Sequence, residues 1–177
     1  MTEKISELIA TNLKHIPDFP EKGILFHDIV PLLVNGEAFR ELIKSIADKY
    51  RGKIDVIAGL ESRGFILAAP LAYELGIGMI PVRKAGKLPG EVIGVDYNLE
   101  YGTARLEMSP DTVKENDRVL IIDDVLATGG TASAAVQLLK KCGGNIQGLV
   151  VLMELTGLHG REKLKGIDIE AYLQFEY

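Results

Sequence analysis

Short apolar runs alternate with longer segments of helical periodicity along most of this chain. The short runs are rich in branched residues, which is typical of buried strands, and the longer segments repeat apolar residues every three or four positions. Strands are predicted at residues 54–59, 78–82, 119–122, 146–154 and 167–175. Helical segments are predicted at residues 5–15, 37–50, 65–75, 132–139 and 158–165. This alternation predicts an α/β fold with a mainly parallel central sheet flanked by helices.

Two segments interrupt the alternation. Residues 16–29 contain two prolines and a glycine, so we expect an irregular arm rather than a continued helix. Residues 91–97 and 103–108 alternate in polarity around residues 98–102, which predicts a β-hairpin. The 177 residues contain no internal repeat or linker, and we interpret them as a single domain.

The segment 119–131 combines a predicted strand, two acidic residues and a turn of small residues. A turn between the carboxyl end of a parallel strand and a helix favours anions, because free N–H groups and the helix dipole point into it. The small side chains would let a phosphate approach the backbone closely. The turn consists of Ala127, Thr128, Gly129, Gly130 and Thr131.

Asp123 and Asp124 cannot bind the same anion and need another ligand. Adjacent carboxylates can accept hydrogen bonds from the vicinal hydroxyls of a ribose, or hold a metal ion. A sugar phosphate would satisfy both halves of the segment. The alternative is that the acids end a strand and cap a helix while the glycines form an ordinary turn. The segment lacks the Gly-Lys-Ser/Thr ending of a nucleoside-triphosphate P-loop.

Other candidates for chemistry lie outside this segment. Arg63 stands at a predicted helix start, where a cation opposes the helix dipole, so it either binds an anion or forms a surface ion pair. The cations Arg83, Lys84 and Lys87 form either a solvated loop or an anion site. Phe26 is either a core aromatic or a ring that stacks on a planar ligand.

Composition and charge narrow the possible partners. The net charge of −5 argues against a general nucleic-acid surface. Cys142 is the only cysteine, so no intramolecular disulfide can form, and we interpret it as a small packed residue. His15 and His159 have no partners at metal-ligand spacing. We see no signal peptide and no apolar run of about 18 residues, so we expect a cytoplasmic protein without a membrane span.

Four motifs resemble those of a known enzyme family. The segment 119–131 resembles the phosphoribosyl pyrophosphate (PRPP) binding motif of type I phosphoribosyltransferases. Residues 17–20, 23–26 and 28–29 resemble the amino-terminal signature of the adenine phosphoribosyltransferase family. The resemblance extends from Pro17 to Tyr172. It implies the type I phosphoribosyltransferase fold in one domain, residues 1–177, with a small hood formed by about residues 1–34 and a mobile hairpin loop that closes over the site.

The resemblance also implies the reaction and its binding groups. Adenine and PRPP would give AMP and pyrophosphate through an oxocarbenium-like transition state. Residues 127–131 would bind the 5′-phosphate, and Asp123 and Asp124 the ribose hydroxyls. The expected pyrophosphate ligands are Ser62, Arg63, Arg83, Lys84 and Lys87. Magnesium is the expected cofactor, held mainly by the substrate phosphates.

Adenine is expected beneath the hood. The resemblance implies that Leu25 and His27 offer backbone groups to the base and that Phe26 stacks on it. We expect Leu126 on the opposite face of the base. Family members commonly carry Arg where this chain has His27.

The expected catalytic residues are Arg63, Glu100 and Tyr101. Glu100 would accept the adenine proton or a hydrogen bond at N7, with Tyr101 closing the site; the alternative is a charge at a hairpin tip. The family is typically dimeric, and Arg83 is a candidate to reach the neighbouring site.

Two other functions fit the same scaffold. One is a phosphoribosyltransferase for another base, such as hypoxanthine, guanine or xanthine. The arm that contains Phe26 argues against this alternative. The other is a PRPP-sensing regulator, but the chain has neither spare length nor a basic helix for a DNA-binding module.

Overall fold

The computed structural model describes residues 2–98 and 102–176. The strands within them are β1 Lys14–Pro17, β2 Leu25–Asp28, β3 Val56–Leu60, β4 Gly78–Lys84, β5 Ile93–Asn98, β6 Thr103–Met108, β7 Arg118–Leu126, β8 Asn145–Leu155 and β9 Ile169–Phe175. The helices are α1 Thr2–Thr11, α2 Val30–Val34, α3 Gly36–Tyr50, α4 Arg63–Leu75 and α5 Gly130–Lys141. Short 3-10 turns lie at Pro110–Thr112, Thr156–Leu158 and Gly160–Leu164.

The main sheet has the strand order β5-β6-β4-β3-β7-β8-β9. Strands β4, β3, β7, β8 and β9 run parallel, whereas β5 and β6 add antiparallel pairs at one side. Parallel neighbours need crossover connections, and α4 and α5 supply them after β3 and β7. The carboxyl ends of β3, β4 and β7 therefore meet at one edge of the sheet. The predicted mainly parallel α/β architecture is confirmed.

Both faces of the central sheet are buried. Successive residues of a strand point to opposite faces, so Leu120 and Ile122 pack with α1, α3 and α4, whereas Val119 and Ile121 pack with α5 and β6. All four side chains are fully buried. This double burial explains the continuous apolar run of β7.

The amino-terminal segment differs from the sequence prediction. The helix predicted over residues 5–15 ends at Thr11, and residues 16–29 are not wholly irregular, because β1 and β2 pair as a small antiparallel sheet. The Asn12 side chain donates to the carbonyl of Leu8, which competes with continuation of the helix. The chain then pairs His15 with His27, a contact that local periodicity does not encode.

Strand ends also differ from the prediction. Asp123 and Asp124 lie within β7 rather than after it, and Arg83 and Lys84 are the last residues of β4 rather than part of a loop. Backbone pairing continues past the apolar run in both cases. The helix predicted at residues 37–50 is confirmed as α3. None of the helices in the described part of the chain is long and apolar enough to cross a membrane.

Candidate active site

A cavity of about 320 Å³ lies at the carboxyl edge of the parallel sheet, between the loops that follow β3 and β7. Most of the side chains predicted from separate parts of the sequence meet there. The predicted residues that line it are Ser62, Arg63, Lys84, Asp123, Asp124, Leu126, Ala127, Thr128, Gly129, Gly130 and Thr131. Arg83 and Lys87 do not line it but lie beside it on the same edge.

The amino end of α5 opens into this cavity. Gly129 precedes the helix with a φ of 75°, a left-handed conformation that suits glycine, and no side chain caps the helix there. The first N–H groups of a helix have no preceding carbonyl to bind, so those of α5 are available to an external acceptor. This end of the helix can therefore bind an anion through its backbone.

Gly160 supports the turn before α5 from outside. A Cβ atom built on Gly129 would collide with the carbonyl of Gly160, and one built on Gly160 would collide with the carbonyl of Ala127. Glu154 anchors the segment that carries Gly160, because its buried carboxylate accepts the Arg161 Nε–H at 2.7 Å. The sequence prediction missed Gly160 and Glu154, since their role depends on contacts between distant segments.

The two acids of β7 meet Arg63 across the cavity. Arg63 Nε lies 2.8 Å from Asp124 Oδ2, an ion pair that lacks hydrogen-bond alignment, so this buried oxygen has no hydrogen-bond donor among the described residues. Asp123 Oδ1 accepts the N–H of Asp124 at 2.9 Å. Gly64 allows α4 to approach β7 closely, because a Cβ there would lie 2.7 Å from the carbonyl of Ile122.

Burial raises the pKa of both carboxyl groups. Burial raises the pKa of Asp123 well above its ordinary value, and the charge of Asp124 raises it further. Burial also raises the pKa of Asp124, although the Arg63 guanidinium partly opposes that shift. Two buried acids with raised pKa values, one with an oxygen that lacks a donor within residues 2–98 and 102–176, are typical of a binding site rather than a structural cap.

The basic segment is tied to an acid that the sequence prediction overlooked. Glu61 Oε2 accepts the backbone N–H of Lys84 at 2.8 Å, and Glu61 Oε1 accepts Lys87 Nζ at 2.6 Å. Arg83 Nε lies 3.4 Å from Glu61 Oε2 without hydrogen-bond geometry. The peptide between Glu61 and Ser62 is cis. Glu61 directly precedes the predicted ligands Ser62 and Arg63, and this was the sequence signal that could have identified it.

A second, apolar cavity of about 120 Å³ adjoins the first. Arg63, Asp124 and Val125 line both, so the two spaces share a wall. The remaining lining residues are Ile24, Leu25, Phe26, His27, Met153 and Leu155. A flat apolar ligand in the smaller cavity would thus sit next to the acids and the anion site.

The Phe26 ring has one aromatic and one cationic neighbour. Its ring is edge-on to Phe19 at 5.1 Å, and the Arg63 guanidinium carbon lies 5.3 Å from its centroid. Val125 lines both cavities, whereas Leu126 lines only the larger one and is 2% exposed. Adjacent strand residues face opposite sides, so the structure favours Val125 over the predicted Leu126 as the aliphatic neighbour of a base.

The buried His27 also lines the apolar cavity. Its ring stacks on Phe175 at 3.9 Å, and its Nδ1 lies 2.8 Å from Nδ1 of His15. Burial lowers the pKa of His27, and the nearby His15 lowers it further. The contact joins β1 and β2 to β9, so the histidine connects the arm to the main sheet.

Glu100 and Tyr101 lie outside the described residues. The hairpin strands that flank them, β5 and β6, are present in antiparallel register, with Asn98 opposite Thr103. Within the described residues no three acidic, histidine or cysteine side chains converge on a possible metal position. Asp123 and Asp124 are nevertheless oxygen donors of the kind that magnesium accepts alongside ligand phosphates.

Comparisons with known proteins identify the family of this chain. Residues 34–172 match the family model described as phosphoribosyl transferase domain. The adenine phosphoribosyltransferase of Roseiflexus sp. (strain RS-1) is 51% identical over 99% of this chain and 100% of its own length. The crystal structure of the adenine phosphoribosyltransferase from Thermoanaerobacter pseudethanolicus is 49% identical, with a TM-score of 0.91 over 96% of this chain and 99% of that one.

A similar structure carries ligands. The adenine phosphoribosyltransferase of Saccharomyces cerevisiae, complexed with an imino-altritol bisphosphate and adenine, is 39% identical to this chain. Its TM-score is 0.92, over 96% of this chain and 99% of that one.

Proposed function

The chain belongs to the phosphoribosyl transferase family, among the adenine phosphoribosyltransferases, and we propose that it converts adenine and PRPP to AMP and pyrophosphate. This is a pentosyl transfer to N9 of adenine and a reaction of purine salvage. The observation that carries the proposal is the meeting of three features at one sheet edge. They are an uncapped helix start, a pair of buried acids and an adjoining apolar pocket.

The larger cavity would hold the phosphorylated sugar. The N–H groups at the amino end of α5, with the hydroxyls of Thr128 and Thr131, would bind the 5′-phosphate. Asp123 and Asp124 would accept hydrogen bonds from the 2′- and 3′-hydroxyls, which gives a donor to Asp124 Oδ2, an oxygen that has none among the described residues. Fixing the phosphate and hydroxyls orients C1′ towards the base without a covalent intermediate.

The leaving pyrophosphate would lie near the basic residues. Ser62, Arg63 and Lys84 line the cavity, and Arg83 and Lys87 lie beside it. Asp123 and Asp124 fit magnesium as one or two carboxylates among substrate oxygens. Magnesium, when bound, would neutralise negative charge that develops on the leaving group.

Adenine would occupy the smaller cavity. Phe26 would stack on one face, Val125 would contact the other, and backbone groups of Leu25 and His27 would bind the base edge. Residues 1–34 would act as the hood over this pocket. Glu100 is our candidate acceptor for the proton or the N7 hydrogen bond, and Tyr101 would close the site.

We also propose a homodimer formed through α4. Ile66 and Tyr73 lie seven residues apart on one face of that helix and are 42% and 89% exposed. The Arg83 guanidinium carbon lies 5.9 Å from the ring of Phe65 on the same helix, so a second copy covering α4 would approach Arg83. Sedimentation of the Tyr73→Asp variant tests this: a dimer that dissociates supports the assignment, and an unchanged mass contradicts it.

Pyrophosphate release on mixing adenine, PRPP and magnesium tests the proposed reaction most simply. A panel with hypoxanthine, guanine and xanthine should give much slower release. An inert protein would contradict the enzyme assignment, and equal rates with other bases would contradict the adenine assignment. A cytoplasmic location stays a prediction, which cell fractionation checks.

A further inference from the structure

Glu61 places a carboxylate inside a site that is expected to bind anions. It follows the last residue of β3, lines the larger cavity, and has a side chain that is 8% exposed. Its two oxygens accept the Lys84 N–H and the Lys87 ammonium, at 2.8 and 2.6 Å. A buried negative charge beside bound diphosphate would repel it, so this acid requires an explanation.

The ion pair keeps Glu61 charged. Burial alone would raise the pKa of this carboxyl, but bonds from Lys87 and the Lys84 amide, with the charges of Lys87 and Arg83, lower it overall. Lys87 itself is 49% exposed and reaches Glu61 from outside the cavity. The ammonium can therefore leave the carboxylate by side-chain rotation alone, while the Lys84 amide bond keeps Glu61 in position.

We propose that Glu61 is an internal substitute for pyrophosphate: it holds the Lys87 ammonium when no diphosphate is bound and competes with pyrophosphate for it. The idea rests on the proposed function, since it assigns Lys87 to the diphosphate. Binding of pyrophosphate must break the Glu61–Lys87 pair, and reforming that pair favours release. Glu61 thus acts through Lys87, as a positioning residue that weakens product binding.

Glu107 provides a matched control. Its side chain is 11% exposed, and it accepts the Gly86 N–H at 2.9 Å and the Arg105 Nε–H at 3.2 Å. Glu107 therefore holds the same basic segment by a backbone amide, as Glu61 does, without bonding to a lysine. A change from Glu to Gln removes one negative charge at either position, but only Glu61→Gln frees Lys87.

Calorimetric titration with pyrophosphate, with and without magnesium, tests the proposal. Glu61→Gln should bind pyrophosphate roughly two- to fivefold more tightly than the unmodified protein, as expected for loss of one partly exposed ion pair. Glu107→Gln should differ less. In a Lys87→Met background the effect of Glu61→Gln should be smaller, because the contested cation is gone and only the direct repulsion between the Glu61 charge and the diphosphate remains.

The outcomes separate this inference from the proposed function. Failure of the unmodified protein to bind pyrophosphate would contradict the function itself. Normal binding, with Glu61→Gln equal or weaker, would overturn the competition. If Glu61→Gln does not fold, Glu61→Asp retains the charge but draws it back from Lys87. It should tighten binding in the same direction, and a weaker complex would again overturn the proposal.

Discussion

The two sides of this site, which we assign to the phosphate and to the base, are built in opposite ways. The phosphate side is backbone: one turn and one helix end, with Gly129 pressed against Gly160 so closely that neither position has room for a Cβ. The base side consists of side chains from β2, β7 and β8 and of Arg63 from α4, and several belong to an exposed arm. Ile24 and Leu25 are 37% and 40% exposed.

This difference has a functional meaning. A phosphate is the same in every PRPP molecule, so a rigid backbone site suits it. A base must be distinguished from similar bases, and side chains can be shaped for that purpose. The phosphate side should therefore respond sharply to a single added methyl group, while the base side should respond in proportion to the contact removed.

The largest effect is expected at Glu100, our candidate acceptor for the adenine proton. Glu100→Gln should lower turnover by roughly 100-fold or more, as for loss of a general base, with much less change in PRPP affinity. Steady-state turnover and equilibrium binding of PRPP measure the two quantities separately. A mutant with near-normal turnover would remove Glu100 from the mechanism.

Gly129→Ala tests the backbone site. The new methyl group would meet the Gly160 carbonyl and force φ away from 75°, so kcat/KM for PRPP should fall on the order of 100-fold. The control is Gly166→Ala, at a φ of 82° with open space around it. That variant should lose about 1–2 kcal/mol of stability and keep its Michaelis constants. Equal kinetic losses in both would contradict the role of the contact.

Asp123→Asn should weaken PRPP binding and at the same time stabilise the folded protein at high pH. Removing a charged acceptor should weaken PRPP binding roughly 10- to 100-fold. The pKa of Asp123 is raised in the folded protein, so ionisation there costs free energy, and stability is lost as pH rises above 3.8 through the folded value. The variant should therefore melt at a higher temperature than the unmodified protein at pH 8, with a smaller difference in acid. A lower melting temperature at pH 8 would contradict this account.

Phe26→Leu tests the base side. Loss of one stacking contact should raise the Michaelis constant for adenine roughly tenfold and leave that for PRPP nearly unchanged. Phe19→Leu is the matched control, because Phe19 contacts the Phe26 ring but does not line the apolar cavity. If the two variants raised the adenine constant equally, packing of the arm rather than stacking would explain the effect.

The smallest effect is expected from protonation of His27, whose ring connects β2 to β1 and β9. The pKa of His27 is lowered from 6.5, so stability from the neutral ring is present above pH 6.5 and is lost as pH falls below it. The shared Nδ1 contact with His15 also cannot survive protonation of both rings. We expect the Michaelis constant for adenine to rise a few-fold, on the order of 1 kcal/mol, between pH 7 and pH 5.

Two variants check the histidine prediction. His27→Gln should remove most of this pH dependence. His159→Asn should retain it, because the His159 side chain is 71% exposed and pairs only with Glu162 among the described residues. Identical pH profiles in all three proteins would contradict the prediction.

The same contrast explains what the sequence could predict. The anion turn and the acids lie within residues 119–131, so local pattern was enough to propose a sugar phosphate site. The base pocket depends on pairing of β1 with β2 and on Met153 and Leu155 from β8, which are tertiary contacts. Two prolines and a glycine made residues 16–29 look irregular, so the small sheet was not predicted. The preference for Val125 over Leu126 depends on the alternation along β7, which local sequence does not show.

A crystal structure of the protein with AMP tests the central claim most directly. We predict the phosphate within hydrogen-bond distance of the backbone N–H groups at the amino end of α5. The ribose hydroxyls should lie on Asp123 and Asp124, and the base between Phe26 and Val125. A phosphate bound elsewhere, with Asp124 still paired only to Arg63, would contradict the account.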